Sequence, residues 1–409
     1  METTAPGTPR VGEVPTFHGV PIDVHHAPVR SLSSGAVCSA EVQLRGVAGS
    51  SFADPAALRT TARAMGETTV LDRLALTAVR ENPVDPTAPT ARLLLLELDL
   101  ATEIDPHDLP AGVRPVVAVT EEAVMSHPAR ALERIAAVRA MGLPVAVDDV
   151  GEQSQPLALL SLVEPEVIFT AADLIARPAH SLTARAAHAI ASYRERSDAT
   201  VIARGVDSDL HRRRALGVGA RYGTGLFLPP AAATDLSDEA VPTPVRLPAA
   251  RPGGAGSTTP FGIAARGRRT TRSLKRLLVS MSKMLEMQAA AAGPETIVLG
   301  TFQHAEHFTP ASRARWAHLA RQVAYTGIYG VGVQPFMDSN VHHAPLDSAD
   351  PLVDEWSVVV LGSHFCCVLA ARDLHTGTVD RDREFEYVVS YDRGTVTDSA
   401  HAVLSRFTT

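Results

Sequence analysis

The chain has 409 residues, 45% of them hydrophobic and 20% charged, which fits a globular protein with two or three packed domains. A net charge of −7 and a pI near 6.1 argue against a general binder of nucleic acid or anionic membrane, since such proteins carry a basic surface. Three cysteines (Cys38, Cys366, Cys367) cannot build a disulfide framework. The first residues lack the apolar core of a signal peptide, and no stretch approaches the roughly 20 apolar residues of a membrane span, so a cytoplasmic protein is expected.

Residues 1–14 read as a flexible tail. From 15 to 230 apolar runs alternate with helical segments: "RLLLLELDL" (92–100), "RPVVAVTEE" (114–122), "LPVAVDDV" (143–150), "PEVIFTA" (165–171), "ATVIARGV" (199–206) and "ARYGTGLFL" (220–228). Runs apolar on both faces belong to parallel strands covered by helices, and "HPARALERIAAVRAMG" (127–142) has helical spacing and a glycine stop. The alternation predicts an α/β fold, either a βα barrel or a doubly wound sheet. In both, polar residues at strand C-terminal ends face the ligand. Glu121, Asp148, Asp149 and Asp207 stand at such ends, which points to one shared site. Adjacent carboxylates ending a buried strand, as in "VAVDDVGEQ", are a common way to hold a divalent cation.

Residues 231–272 are rich in Pro, Ala, Gly, Ser and Thr without periodicity and read as an extended linker. The basic run "RGRRTTRSLKR" (266–276) reads as a solvated linker end and helix face, with capture of a phosphate or acidic partner as the alternative. A second domain, 273–409, is expected to be α/β or α+β. Ser273 is a candidate N-cap, followed by the stripe Leu274, Leu277, Leu278, Met281 and Leu285. Strands are expected at 296–303, 355–362, 365–372 and 384–392, a helix at 310–324, and a loop over "NVHHAPLDSADP". His304, His307, His342, His343, His364, Cys366 and Cys367 match no standard zinc spacing, and "HFCCVL" reads as a buried strand with Cys as a small hydrophobe, so no metal is expected.

Six segments of the first region, in order, resemble the EAL family of cyclic di-GMP phosphodiesterases. "VHHAPVRSLSSGAVCSAEVQLR" (24–45) is similar to the family's opening, with Pro28, Gly35, Glu41, Leu44 and Arg45 in register and the signature triplet degenerate as Glu41-Val42-Gln43. "VAVTEEAV", "VDDVGEQ", "EPEVIFTAADL", "ARGVDS" and "YGTGLFLPP" resemble the later strands. The resemblance implies a TIM-type (βα) barrel with one strand reversed and a dinucleotide lying across the strand ends. It also implies two divalent cations that polarise a water and the scissile phosphate. Carried over by position, Glu41, Asp148 and Asp149 remain of the metal site, Glu121 would steady a loop, Arg45 would contact a phosphate, and Asp207 stands where a guanine-contacting Glu would be. The other positions depart: Glu97 replaces a metal-binding Asn, Ala118 and Arg204 replace metal-binding Glu residues, Phe169 replaces the Lys and Thr224 the Gln. Ala27 takes the place of an opening Gln. Arg204 puts a permanent cation where a metal should sit and could pair with Asp148 or Asp149.

Segments 298–333, 344–374 and 383–396 resemble the DICT domain, a sensory module found beside cyclic di-GMP enzymes. Together the resemblances imply a signalling protein that is not an enzyme: no catalytic residue, no cofactor, no metal. Glu41, Arg45, Asp148, Asp149, Arg204 and Asp207 are its ligand-binding candidates. Cyclic di-GMP and a partner signalling protein are the expected partners, without nucleic acid or membrane, and a homodimer stays open. A purely protein-binding barrel is the alternative, and residual phosphodiesterase activity a more distant one.

Overall fold

The computed structural model describes residues 15–81, 94–110, 112–152, 156–228, 245–250, 259–338, 340–376 and 379–407. The expected tail lies outside them, as do 231–244 and 251–258 of the expected linker.

A short β1 (Thr16–Phe17) leads into a long hairpin of β2 (Val20–Ser31) and β3 (Val37–Gly46). Helices α1 (Pro55–Met65) and α2 (Thr68–Glu81) precede β4 (Leu94–Asp99) and β5 (Val113–Val119). Then come α3 (Glu121–Ser126), α4 (Pro128–Ala140), β6 (Val145–Val150), α5 (Pro156–Leu162) and β7 (Val167–Thr170). The region ends with α6 (Ala172–Ala176), α7 (Ser181–Glu195), β8 (Thr200–Ala203), α8 (Asp209–Val218) and β9 (Tyr222–Gly223).

Strands β2 to β9 close into a barrel through antiparallel pairing of β2 with β9; β2 is the reversed strand and β3 to β9 run parallel. The apolar runs follow from burial on both faces. In β4, Leu94, Leu96 and Leu98 pack outward on Ala75, Leu76 and Val79 of α2, while Leu95 points inward to Val116, Ala146, Val167, Phe169 and Ile202. Val245 joins that inner cluster, and the Thr200 hydroxyl donates to the Arg246 carbonyl. Residues 245–250 of the expected linker therefore plug the end of the barrel opposite the site.

A five-residue helix, α9 (Pro260–Ala264), also falls within the expected linker. Phe261 is 5% exposed and lies under the Arg372 guanidinium, and Glu355 accepts hydrogen bonds from the Phe261 N–H and the Thr259 hydroxyl. Ser273 is not a helix cap. It pairs with Phe385 in β10 (Thr271–Leu274), and α10 (Lys275–Ala292) starts one residue after Leu274 with no side-chain cap.

The second domain continues with β11 (Thr296–His304), α11 (Pro310–Leu319), β12 (Tyr325–Val331), β13 (Phe336–Asp338) and β14 (Val341–Pro345). It closes with β15 (Glu355–Gly362), β16 (Cys366–Asp373), β17 (Glu384–Ser390) and α12 (Arg393–Leu404). The eight strands form a mixed sheet in the order β10-β17-β16-β15-β11-β12-β14-β13. The expected loop at "NVHHAP" is instead strand β14, because both imidazoles act as flat packing groups. His342 stacks on Tyr325 at 4.4 Å, and His343 stacks on Phe336 with Phe308 at its edge. Helices α10 and α11 cover one face of the sheet around Trp316 and Val358. The other face, with α9 and α12, shares a continuous apolar core with the barrel helices: Val359, Leu361, Val396 and Ala400 belong to the same cluster as Leu157, Leu160 and Ile190. The two domains are packed, not merely tethered.

Candidate functional site

The strand ends of the barrel carry a network of charges, built from three guanidiniums and five carboxylates. Arg204 follows β8, and its backbone N–H donates to the Thr170 hydroxyl at the end of β7. Its side chain crosses the mouth with its guanidinium carbon 4.4 Å from the Phe169 ring centre. Arg204 Nη1 donates to Asp148 Oδ1 at 2.5 Å, and Nη2 to Glu41 Oε1 at 3.1 Å and to Glu97 Oε2. One cation thus holds three buried acids from β3, β4 and β6.

Asp148 and Asp149 both reach the mouth because β6 is irregular there. Pairing with β7 shifts register between Val147 and Val150, and Asp149 takes a left-handed φ of 52°. In a regular strand the two side chains would point to opposite faces. Arg63 spans them, with Nη1 on Asp149 Oδ2 at 2.9 Å and Nη2 on Asp148 Oδ2 at 3.2 Å. Arg59, one turn earlier on α1, lies 3.3 Å from Glu97 Oε1 and 3.4 Å from Asp72 Oδ1. Asp72 also accepts from the Thr102 hydroxyl and the Asp99 N–H, each at 2.6 Å.

Burial sets the electrostatics first, and the arginines then decide each acid. For Asp148 burial opposes ionisation, but Arg204, then Arg63 and Arg59, outweigh it and hold its carboxyl below the usual range. Glu97 goes the other way: burial, helped by the charges of Asp148 and Glu41, pushes it up to about 7 despite Arg204 and Arg59. Burial also raises Asp72 above the usual carboxylate range despite Arg59, so two of the five acids sharing three guanidiniums are pushed toward keeping a proton.

The expected ligands are divided. Glu41, Asp148 and Arg204 come together in one cluster; Asp149 joins it through Arg63. Arg45 sits at the end of β3, exposed and opposite Asp23 of β2, so it faces the rim without entering the acid cluster. Asp207 is exposed at the rim and accepts from the Leu226 N–H at 2.8 Å, holding the segment in which Leu226 is 86% and Phe227 42% exposed. Glu121 lies apart, half-buried; burial and then the charge of Glu152 raise its pKa. Arg59, Arg63 and Asp72 went unread in the sequence, although Asp54-Pro55 and Gly66 bracket α1 as a capped helix with Arg59 and Arg63 on one face.

The two divalent cations implied by the resemblance do not fit these residues. The position of one ligand is the guanidinium of Arg204, whose donors already occupy Glu41, Glu97 and Asp148. Ala118 and Phe169, both buried, offer no donor atom. Beside the arginines lies a cleft of about 130 Å³, lined by Glu41, Gln43, Arg59, Glu97 and Arg204 and walled by Leu58 and Leu71.

The family profile of the EAL domain matches residues 19–231, and that of the DICT domain (sensory domain in diguanylate cyclases and two-component system) matches 264–374. No match is found among curated proteins. Among solved structures the chain is similar to the FimX EAL domain of Xanthomonas citri in complex with c-diGMP, at 20% identity over 50% of this chain and 86% of that one, with a TM-score of 0.39. It is similar to the PaMucR phosphodiesterase in its c-di-GMP complex at 19% identity, over 51% and 90% of the two chains, with a TM-score of 0.42. A third is BlrP1 of Klebsiella pneumoniae in a calcium/cy-diGMP complex, at 22% identity over 53% and 57%, with a TM-score of 0.42. The chain belongs to the EAL-domain family, with a DICT sensory domain following the barrel, an architecture of cyclic di-GMP signalling.

Proposed function

We propose that the barrel is a non-hydrolytic, metal-independent receptor for cyclic di-GMP, coupled to the DICT domain. One observation carries this reading: Arg204 bonds Glu41, Glu97 and Asp148 at once, so a fixed cation stands where the phosphodiesterase chemistry of the family needs exchangeable metal. A guanidinium neutralises the acids but cannot lower the pKa of a water or bridge it to phosphorus. Arg45, exposed and outside the acid cluster, is available to clamp a ligand phosphate. Exposed Leu226 and Phe227 offer an apolar surface beside Asp207. Those same two side chains favour the second reading, a barrel that docks a partner protein.

Calorimetric titration with cyclic di-GMP, with and without Mg²⁺, combined with product analysis, tests the proposal. Binding of equal strength in both buffers, without hydrolysis, is the expected result. Hydrolysis overturns the non-catalytic reading, and absence of binding leaves the protein-docking barrel.

A further inference from the structure

Two guanidinium groups meet at the seam between barrel and sensory domain, away from the barrel mouth. Arg196 follows α7, and Arg393 opens α12. Arg196 Nη2 and Arg393 Nη1 both donate to the hydroxyl of Ser161, at 3.2 and 3.1 Å. Two cations are thus separated by a single oxygen atom. Their other acceptors are also neutral: Ser192 O and Oγ for Arg196, and Gly362 O at 2.7 Å and Ser363 O at 3.2 Å for Arg393. Among the described residues neither arginine forms an ion pair. Of the acids at the seam, Glu295 is taken up by Arg185 at 3.4 Å and lies 3.8 Å from His364. Glu164 acts on Arg196 less strongly than the opposing charge of Arg393 does. Arg196 Nε is buried without an acceptor.

This arrangement is unfavourable as it stands. Like charges brought together at a domain seam oppose docking, and a buried N–H without an acceptor adds its desolvation cost. Burial first, and then Arg393, push Arg196 down to about 10. Two guanidiniums among the hydroxyls of Ser161 and Ser192 are the chemistry that recognises tetrahedral oxyanions. We propose that the seam binds a phosphate group between Arg196 and Arg393, and that this anion ties the barrel to the sensory domain. The site is separate from the barrel mouth, so it stands whether or not cyclic di-GMP binds there.

The test uses the full chain in chloride buffer, titrated with inorganic phosphate at constant ionic strength. Calorimetry should give one saturable phosphate site, and thermal melting should rise with its occupancy. Phosphate also stabilises folded proteins generally by exclusion from their surface, but that rise does not saturate. Arg196→Gln and Arg393→Gln should each weaken the saturable response by about one to two decades. Arg196→Gln removes the repulsion while leaving an amide to reach Ser161, so it should stay folded if Arg393→Gln does not. Glycerol phosphate run in parallel distinguishes a free ion from the phosphate of a larger ligand, the tighter of the two naming the source. No saturable site in the folded wild type overturns the proposal, whatever the variants do. Unchanged phosphate affinity in Arg196→Gln overturns it as well.

Discussion

Arg204 decides the character of the barrel mouth at the scale of single residues. Removing one partner from a buried ion network leaves the others uncompensated, at a cost of roughly 3–5 kcal/mol. Arg204→Ala strands Glu41, Glu97 and Asp148, so it should lower the melting temperature sharply. Asp149→Asn, at a side chain that is 32% exposed, should cost no more than about 1 kcal/mol. Equal losses in the two variants would contradict the network. Glu97 makes the mouth pH-sensitive. Its carboxyl titrates near 7 in the folded chain against an ordinary 4.5. Between those values the folded state holds a proton that the unfolded state has released, so this group's contribution to stability falls as pH rises. Glu97→Gln does not titrate. Its melting temperature relative to wild type should therefore climb from pH 5 to pH 8, and a pH-independent difference would refute the assignment. Arg45 plays a different part. Exposed and outside the cluster, it should be replaceable by Ala within about 0.5 kcal/mol of stability. If the barrel is a receptor, the same change should weaken cyclic di-GMP binding by about one to two decades. A drop in melting temperature without any effect on the ligand would place Arg45 among the structural ion pairs instead.

At the scale of elements, the sequence is most legible where burial dictates it. Runs such as Leu94–Leu96 and Val145–Val147 are apolar on both faces and read directly as barrel strands; β15 falls at the residues its pattern indicates. The acids at strand ends were legible too, because position along a parallel strand fixes which end faces a ligand. Arg204 was legible as a partner for Asp148, but two of the arginines that hold the acids were not: Arg59 and Arg63 lie on a surface-like helix, and nothing in their local pattern says that they reach Glu97, Asp148 and Asp149. Strand β14 was hidden for a similar reason, since His342 and His343 look polar in sequence and pack as rings in the fold. Composition alone also made 231–272 a linker, although Val245 and Phe261 within it are buried. Phe261 anchors α9 against the sheet, and Phe261→Ala should cost about 3–5 kcal/mol, measured by urea unfolding. A cost below about 1 kcal/mol would show that α9 is not held by its core contact.

At the scale of the whole molecule, the domains share an apolar core and a polar seam. The hydroxyl of Ser192 donates to Ser363 O at 3.0 Å, and His401 Nε2 lies 2.7 Å from Leu162 O. A joint packed in this way deforms little. Central to the account is a barrel mouth whose acids are already held by arginine. Titration of the full chain with Mn²⁺, followed by electron paramagnetic resonance and repeated on Asp148→Asn, tests it most directly. The account predicts no stoichiometric Mn²⁺ that depends on Asp148, and identical titrations for the two proteins. One or two tightly bound Mn²⁺ ions in the wild type, lost in Asp148→Asn, would contradict it.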